Sequence, residues 1–228
     1  MSENRRCALV TGVSSGIGEA IARRLLEDGW QVIGMSRRAP SLQHPNLSFV
    51  AADLADNASL AGALADIPAL DAIVHAAGFM RTAPLGELRD EDGAAMWQVH
   101  VSAATQLVNG LIGRLRAPGR IVLVGSRTMN GAAGRSQYAA TKAALIGLVR
   151  SWAIELAPKG ITVNLVAPGA TETPMLIDPA RQGTPPRQPP IGRFIQPGEV
   201  AAMTAFLLGP DAGAITGQQL VICGGASL

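Results

Sequence analysis

The single tyrosine of this chain, Tyr138, stands four residues before Lys142 in the run Gln137-Tyr138-Ala139-Ala140-Thr141-Lys142-Ala143. On a helix, residues four apart share a face. A phenol ordinarily keeps its proton up to about pH 10. An ammonium beside it favours the phenolate and brings that pKa toward working pH. A tyrosine so placed can act as a general acid or base. Taken alone, the pair fits an ordinary Tyr–Lys contact on a solvated helix face better than it fits chemistry. The rest of the chain favours chemistry.

The second chemical feature is the glycine-rich run Thr11-Gly12-Val13-Ser14-Ser15-Gly16-Ile17-Gly18. It follows the first apolar run and opens the first helical stripe. In that position glycines let the backbone approach a pyrophosphate, and helix N–H groups face the anion. The bare alternative is a tight turn between strand and helix. The strand–turn–helix context is the one a dinucleotide site requires. At the end of the second strand, where a carboxylate would read a ribose 2′-hydroxyl, the chain carries Ser36, Arg37 and Arg38. Two guanidiniums can grip a 2′-phosphate through charge-assisted bonds. NADP(H) is therefore favoured over NAD(H), against the plainer reading of a solvated basic turn.

The periodicity of the chain predicts what positions these residues. Strands are expected at Cys7–Thr11, Gln31–Ser36, Leu47–Ala52, Ala72–Ala76, Arg120–Gly125, Ile161–Ala167 and Gln219–Ile222. Between them fall helices at Gly16–Asp28, near Ala58–Ala65, at Asp92–Leu115, at Ser136–Leu156 and at Pro197–Leu208. Strands alternating with helices imply a doubly wound α/β fold, a parallel sheet covered on both faces. The 228 residues show no linker-like run, so one domain is expected over 1–228. With 48% apolar and 16% charged residues the chain can bury a large core, and disorder is excluded as a class. A net charge of +2 with scattered basic residues and 4% aromatics gives nucleic-acid binding little support. Cys7 and Cys223 match no metal spacing and read as reduced core thiols. No metal site, signal peptide or membrane span is expected, and a cytoplasmic location follows.

In this order and spacing the chain resembles the short-chain dehydrogenase/reductase family along nearly its whole length, which implies a Rossmann-type sheet. The turn Gly12–Gly18 resembles that family's cofactor turn. Asp53 and Leu54, in Ala51-Ala52-Asp53-Leu54, match its adenine-binding segment. Ala76-Ala77-Gly78 stands where the family has the end of Asn-Asn-Ala-Gly, with His75 in place of the first asparagine. Ser126 matches the catalytic serine, and Tyr138 with Lys142 the catalytic pair. Asn164, Pro168-Gly169, Thr171 and Thr173 resemble the segment that contacts the nicotinamide carboxamide. His100 falls where the family places a fourth catalytic residue, an asparagine. A histidine can donate, accept and shuttle protons. It can also serve only as a buried structural partner, and both roles stay open.

The resemblance implies an oxidoreductase that moves a hydride between NADP(H) and the carbonyl or hydroxyl carbon of a small ketone or secondary alcohol. Ser126 would bond the carbonyl oxygen, Tyr138 would transfer the proton, and Lys142 would hold the ribose and lower the tyrosine pKa. A proline-rich segment at about 174–195, with Pro174, Pro179, Pro185, Pro186, Pro189 and Pro190, cannot be one continuous helix and reads as a substrate lid. Arg81 or Arg127 could meet an anionic substrate, though such arginines more often form structural pairs. The two long helices are apolar on more than one face, with Trp97, Val101 and Val108 on the first and Ala144, Leu148 and Trp152 on the second. A helix apolar all round needs burial on both sides, and a homotetramer is expected. The alternatives are a dinucleotide-binding sensor or structural subunit without turnover, and reduction of a C=C bond. The family's enoyl reductases space their tyrosine and lysine more widely than this chain does.

Overall fold

Residues 5–178 and 184–228 are described by the structure, a computed structural model. Seven parallel strands form one sheet in the order β3-β2-β1-β4-β5-β6-β7. They are β1 (Cys7–Thr11), β2 (Gln31–Ser36), β3 (Leu47–Ala51), β4 (Leu70–His75), β5 (Leu115–Val124), β6 (Thr162–Pro168) and β7 (Gln219–Ile222). The helices are α1 (Gly16–Glu27), α2 (Asn57–Leu64), α3 (Asp90–Trp97), α4 (Ala103–Leu111), α5 (Ser136–Leu156) and α6 (Pro197–Leu208).

Side chains alternate across a strand, and β1 shows the consequence. Leu9 enters the core under α2, α4 and α5, while Ala8 and Val10 enter the one under α1 and α6. Both faces are covered, so the central strands are mostly apolar. The strand order reverses between β1 and β4, which are direct neighbours. A crevice opens at such a switch point, beyond the carboxyl ends of the strands. The glycine turn after β1 and Ala76–Gly78 after β4 both border it.

Local chemistry sets most boundaries. The Asp56 carboxylate accepts from Ala58 N at 2.8 Å and Ser59 N at 3.3 Å, so α2 starts at Asn57, one residue earlier than expected. Glu199 accepts from Gln196 N at 2.8 Å and Pro197 takes the first helical position of α6, where its missing N–H is harmless.

The largest difference from expectation lies at 92–115. The segment is not one α-helix: α3 passes into a π turn at Gln98–Ser102, then α4, then a 3-10 turn at Ile112–Arg114. Apolar periodicity does not reveal a π turn, which adds one residue to a single turn. β5 also begins early, because Leu115 pairs with Leu70 before the register shifts at Ala72. Gly125 lies outside β5, yet its N–H still donates to Val166 O at 2.8 Å. No helix among the described residues is long and apolar enough to cross a membrane.

Candidate active site

The sequence dictates the phosphate end of the crevice. A Cβ on Gly18 would run into the Gly12 carbonyl oxygen, so the first turn of α1 packs on the end of β1 only because that position is glycine. Ser15 caps α1 in extended geometry without a side-chain bond to the helix. The first N–H groups of α1 and the Ser15 hydroxyl thus form an anion-binding corner. At the far end, Ser36 Oγ donates to Arg38 O at 2.7 Å and shapes the turn that carries both exposed arginines. Neither Arg37 nor Arg38 makes an ion pair among the described residues. These features fit a dinucleotide with a phosphorylated ribose.

The reacting end is built by β5 and α5. Ser126 follows β5 and starts the 3-10 turn Arg127–Asn130, where its Oγ accepts from Thr128 N at 3.1 Å. That bond uses an oxygen lone pair and leaves the hydroxyl proton for another acceptor. Lys142 lies on the buried face of α5 and donates from Nζ to Val124 O at 3.0 Å. Its Nζ is 5.9 Å from the centroid of the Tyr138 ring. Burial lowers the Lys142 pKa to about 7. A Cβ on Gly78 would come 3.5 Å from Nζ and 2.9 Å from His100 Nε2, so glycine keeps this corner open.

Two histidines are buried close enough to the lysine to feel its charge. Phe79 N donates to His100 Nε2 at 3.2 Å, which leaves the ring proton on Nδ1. Nδ1–H donates to Thr141 Oγ1 at 2.8 Å, and that hydroxyl donates to Tyr138 O at 2.8 Å. His75 takes the opposite tautomer: Nε2–H donates to Val99 O at 3.0 Å, and Nδ1 accepts from Thr11 Oγ1, also at 3.0 Å. Thr11 Oγ1 in turn accepts from Ala76 N and Ala77 N, each at 3.1 Å. Every ring nitrogen therefore has a partner. Burial, with the Lys142 charge second, lowers the His75 pKa to about 3 and pushes His100 in the same direction.

These residues share one cleft of about 1540 Å³. Gly12, Ser14, Ser15, Gly16, Ile17, Gly18, Ser36, Arg37, Arg38, Asp53 and Leu54 line its dinucleotide end. Ala76, Ala77, Gly78, Ser126, Tyr138, Lys142, Pro168, Gly169, Thr171 and Thr173 line the rest of the expected set. A Rossmann crevice of this strand order, ending in a serine, a tyrosine and a lysine four residues on, meets the sequence comparisons directly. Residues 12–227 match the family described as Enoyl-(Acyl carrier protein) reductase.

The chain belongs to the short-chain dehydrogenase/reductase family. It is 36% identical to a 3-oxoacyl-[acyl-carrier-protein] reductase of Vibrio cholerae, over 99% of this chain and 98% of that one. It is 34% identical to a (2S)-[(R)-hydroxy(phenyl)methyl]succinyl-CoA dehydrogenase subunit of Thauera aromatica, over 100% and 99% of the two chains. Among solved structures, a short chain dehydrogenase from Burkholderia cenocepacia in complex with NADP superposes with a TM-score of 0.88, at 35% identity and 98% coverage of both chains. The chain is an oxidoreductase of this family.

Two residues singled out in the sequence stand elsewhere. His100 is fully buried behind the cleft and does not line it. Asn164 also lies away from the cleft: its Nδ2 donates to Ile215 O at 2.7 Å and its Oδ1 accepts from Gln218 N at 3.1 Å, which ties β6 to the approach of β7. Arg81 points to carboxylates, Asp92 at 4.0 Å and Asp178 at 3.9 Å. The Val124 carbonyl, Thr11 and Thr141 were not anticipated. Thr141 precedes the lysine within the quoted run, but nothing local distinguishes it from a surface threonine. Of the proline-rich segment, Pro174, Pro185, Pro186, Pro189 and Pro190 line the cleft, whereas Pro179 lies outside the described residues.

Proposed function

We propose that this protein is an NADP(H)-dependent reductase that interconverts a small ketone and its secondary alcohol, the ketone being the 3-oxo group of an acyl thioester. The observation that carries the proposal is the convergence of Ser126, Tyr138 and Lys142 on the dinucleotide cleft. A bound nicotinamide dinucleotide would supply the hydride. Ser126 presents its free hydroxyl proton to the substrate carbonyl oxygen. Tyr138 donates its phenolic proton to that oxygen as charge develops there, and takes it back in the reverse direction. Lys142, held by Val124 O, uses its remaining N–H groups on the ribose and favours the phenolate with its charge. His100 acts through Thr141 and Phe79 as a positioning residue for the Tyr138–Lys142 face. The NADP preference is supported by unpaired Arg37 and Arg38 and by the NADP complex of the Burkholderia relative.

The thioester is supported by two relatives named for 3-oxoacyl-carrier and acyl-CoA chemistry. An apolar wall of Phe79, Met80 and Met175 lines the cleft beside Tyr138 and suits an acyl chain. In this reading the proline-rich segment is the substrate lid of a single domain: residues 174–176 and 184–190 line the cleft, and 179–183 lie outside the described residues. The partly exposed apolar face of α5, with Ala144, Leu148 and Trp152, and the half-exposed Trp97 of α3 support a homotetramer. The free, buried Cys7 and Cys223 suit a reducing cytoplasm.

The test is loss of nicotinamide absorbance when NADPH is mixed with acetoacetyl-CoA or, separately, crotonyl-CoA. Turnover with the oxo compound alone supports carbonyl reduction. Turnover with crotonyl-CoA alone would replace it with C=C reduction, and turnover with neither would leave a binding protein.

A further inference from the structure

Arg127 is a cation at the reacting end that has no carboxylate partner among the described residues. It immediately follows Ser126, lines the cleft and is partly buried. Its Nη1 donates to Ala226 O at 3.1 Å, which aims the guanidinium along the C-terminal tail. Arg81, the other arginine that the sequence offers for an anionic substrate, faces Asp92 and Asp178. A guanidinium carries five N–H donors in a rigid fork, and the Ala226 bond uses one. Its remaining N–H groups can form charge-assisted bonds with an oxyanion.

The surroundings have the same sign. With the residues of the dinucleotide end, Tyr138 and Lys142 set aside, the ionisable groups lining the cleft are Arg127, Arg135, Arg187, Glu87 and the terminal carboxylate of Leu228. Three guanidiniums against two carboxylates leave this lobe with a small positive excess, which favours anions in a concave site. Arg135 is occupied in structure, since its Nη2 donates to Thr184 O at 3.0 Å, and Arg187 and Glu87 are exposed. Arg127 is the member closest in sequence to the serine that would orient the carbonyl.

We propose that Arg127 is the specificity residue for an oxyanion carried by the substrate, either a carboxylate on the ketone's own chain or a phosphate on its carrier arm. The proposal rests on the reading of this cleft as an oxo-substrate site. Arg127 would bind that oxyanion through Nε and Nη2 while Ser126 addresses the carbonyl.

The test is calorimetric binding to the enzyme saturated with NADP⁺, which fills the Arg37–Arg38 end and cannot reduce a ketone. The probes are 4-oxopentanoate, its methyl ester and acetoacetyl-CoA, each with the native protein, Arg127→Met and Arg127→Lys. Loss of a charge-assisted contact should weaken at least one anionic probe by about tenfold or more in Arg127→Met, with partial recovery in Arg127→Lys. The methyl ester should change by less than about twofold, within the scatter of a lost neutral contact. Loss with 4-oxopentanoate identifies a carboxylate, and loss with acetoacetyl-CoA alone identifies a phosphate. The proposal is overturned if the native protein binds neither anion. It is also overturned if Arg127→Met binds both as tightly as the native protein does, or if the ester weakens by the same factor, which would make Arg127 only a tether for the tail. Anion binding that depends on Arg127 without reduction of acetoacetyl-CoA would keep this proposal and reject the oxoacyl reading.

Discussion

His100 Nδ1 lies 2.8 Å from Thr141 Oγ1, and this bond joins the π turn between α3 and α4 to the Tyr138–Lys142 face of α5. The two residues are 41 positions apart. The π turn presents His100 toward α5, where it stacks edge-on to Tyr138 with ring centroids 5.6 Å apart. Thr141→Val keeps the shape but leaves a buried Nδ1–H unpaired, a loss of about 1–3 kcal/mol. The expected outcome is a lower urea midpoint and a lower kcat with KM for the ketone little changed. A variant with native kcat would remove His100 and Thr141 from the positioning of Tyr138.

Tyr138→Phe should abolish turnover while leaving NADPH affinity nearly intact. The ring still packs against Met80 and Met96, but no hydroxyl remains to transfer the proton. General acid–base groups contribute about 10²–10⁴-fold, to be read in kcat with NADPH and acetoacetyl-CoA. Retention of half the native kcat would refute the role of Tyr138.

Cofactor choice should follow the turn after β2. Ser36→Asp combined with Arg37→Ala introduces a carboxylate that repels a 2′-phosphate and removes a guanidinium that pairs with it. The ratio of kcat/KM for NADPH over NADH should fall by about 10–100-fold, the scale of one or two charge-assisted bonds. An unchanged ratio would assign Arg37 to the solvated surface.

Acid should destabilise the protein through its buried histidines. The His75 pKa is lowered by burial from 6.5 to about 3. The unfolded chain therefore binds the extra proton first. The contribution of neutral His75 is fully present above about pH 6.5 and is lost as pH falls toward about 3. His100 shifts in the same direction and adds to the slope. Urea midpoints measured from pH 7.5 down to pH 4 should fall more steeply for the native protein than for His75→Asn. Parallel curves would contradict the buried neutral state.

Association should depend on α5. Leu148→Arg places a charge on its partly exposed apolar face. Light scattering at micromolar concentration should give a tetramer for the native protein and a smaller species for the variant. A native monomer would refute the assembly, whereas a native dimer would retain the helix contact and remove the second one.

The sequence by itself determined the order of strands and helices along the chain, the doubly wound class and the glycine turn and serine, tyrosine and lysine that border the cleft. Each rests on local physics: apolar runs for strands covered on both faces, a glycine turn between β1 and α1, an i, i+4 pair on α5. Only the tertiary structure decided how those residues are held. Thr11 meets His75 across 64 positions, and Lys142 reaches Val124 O across 18. The π turn is invisible to apolar periodicity because it changes a single turn. Asn164 reads like a cofactor contact in the chain, yet its amide bonds Ile215 and Gln218. The same folding gave Arg81 two carboxylates and Arg127 a backbone carbonyl. Two arginines equivalent in sequence differ in chemistry because partners distant in the chain decide which charge is already balanced.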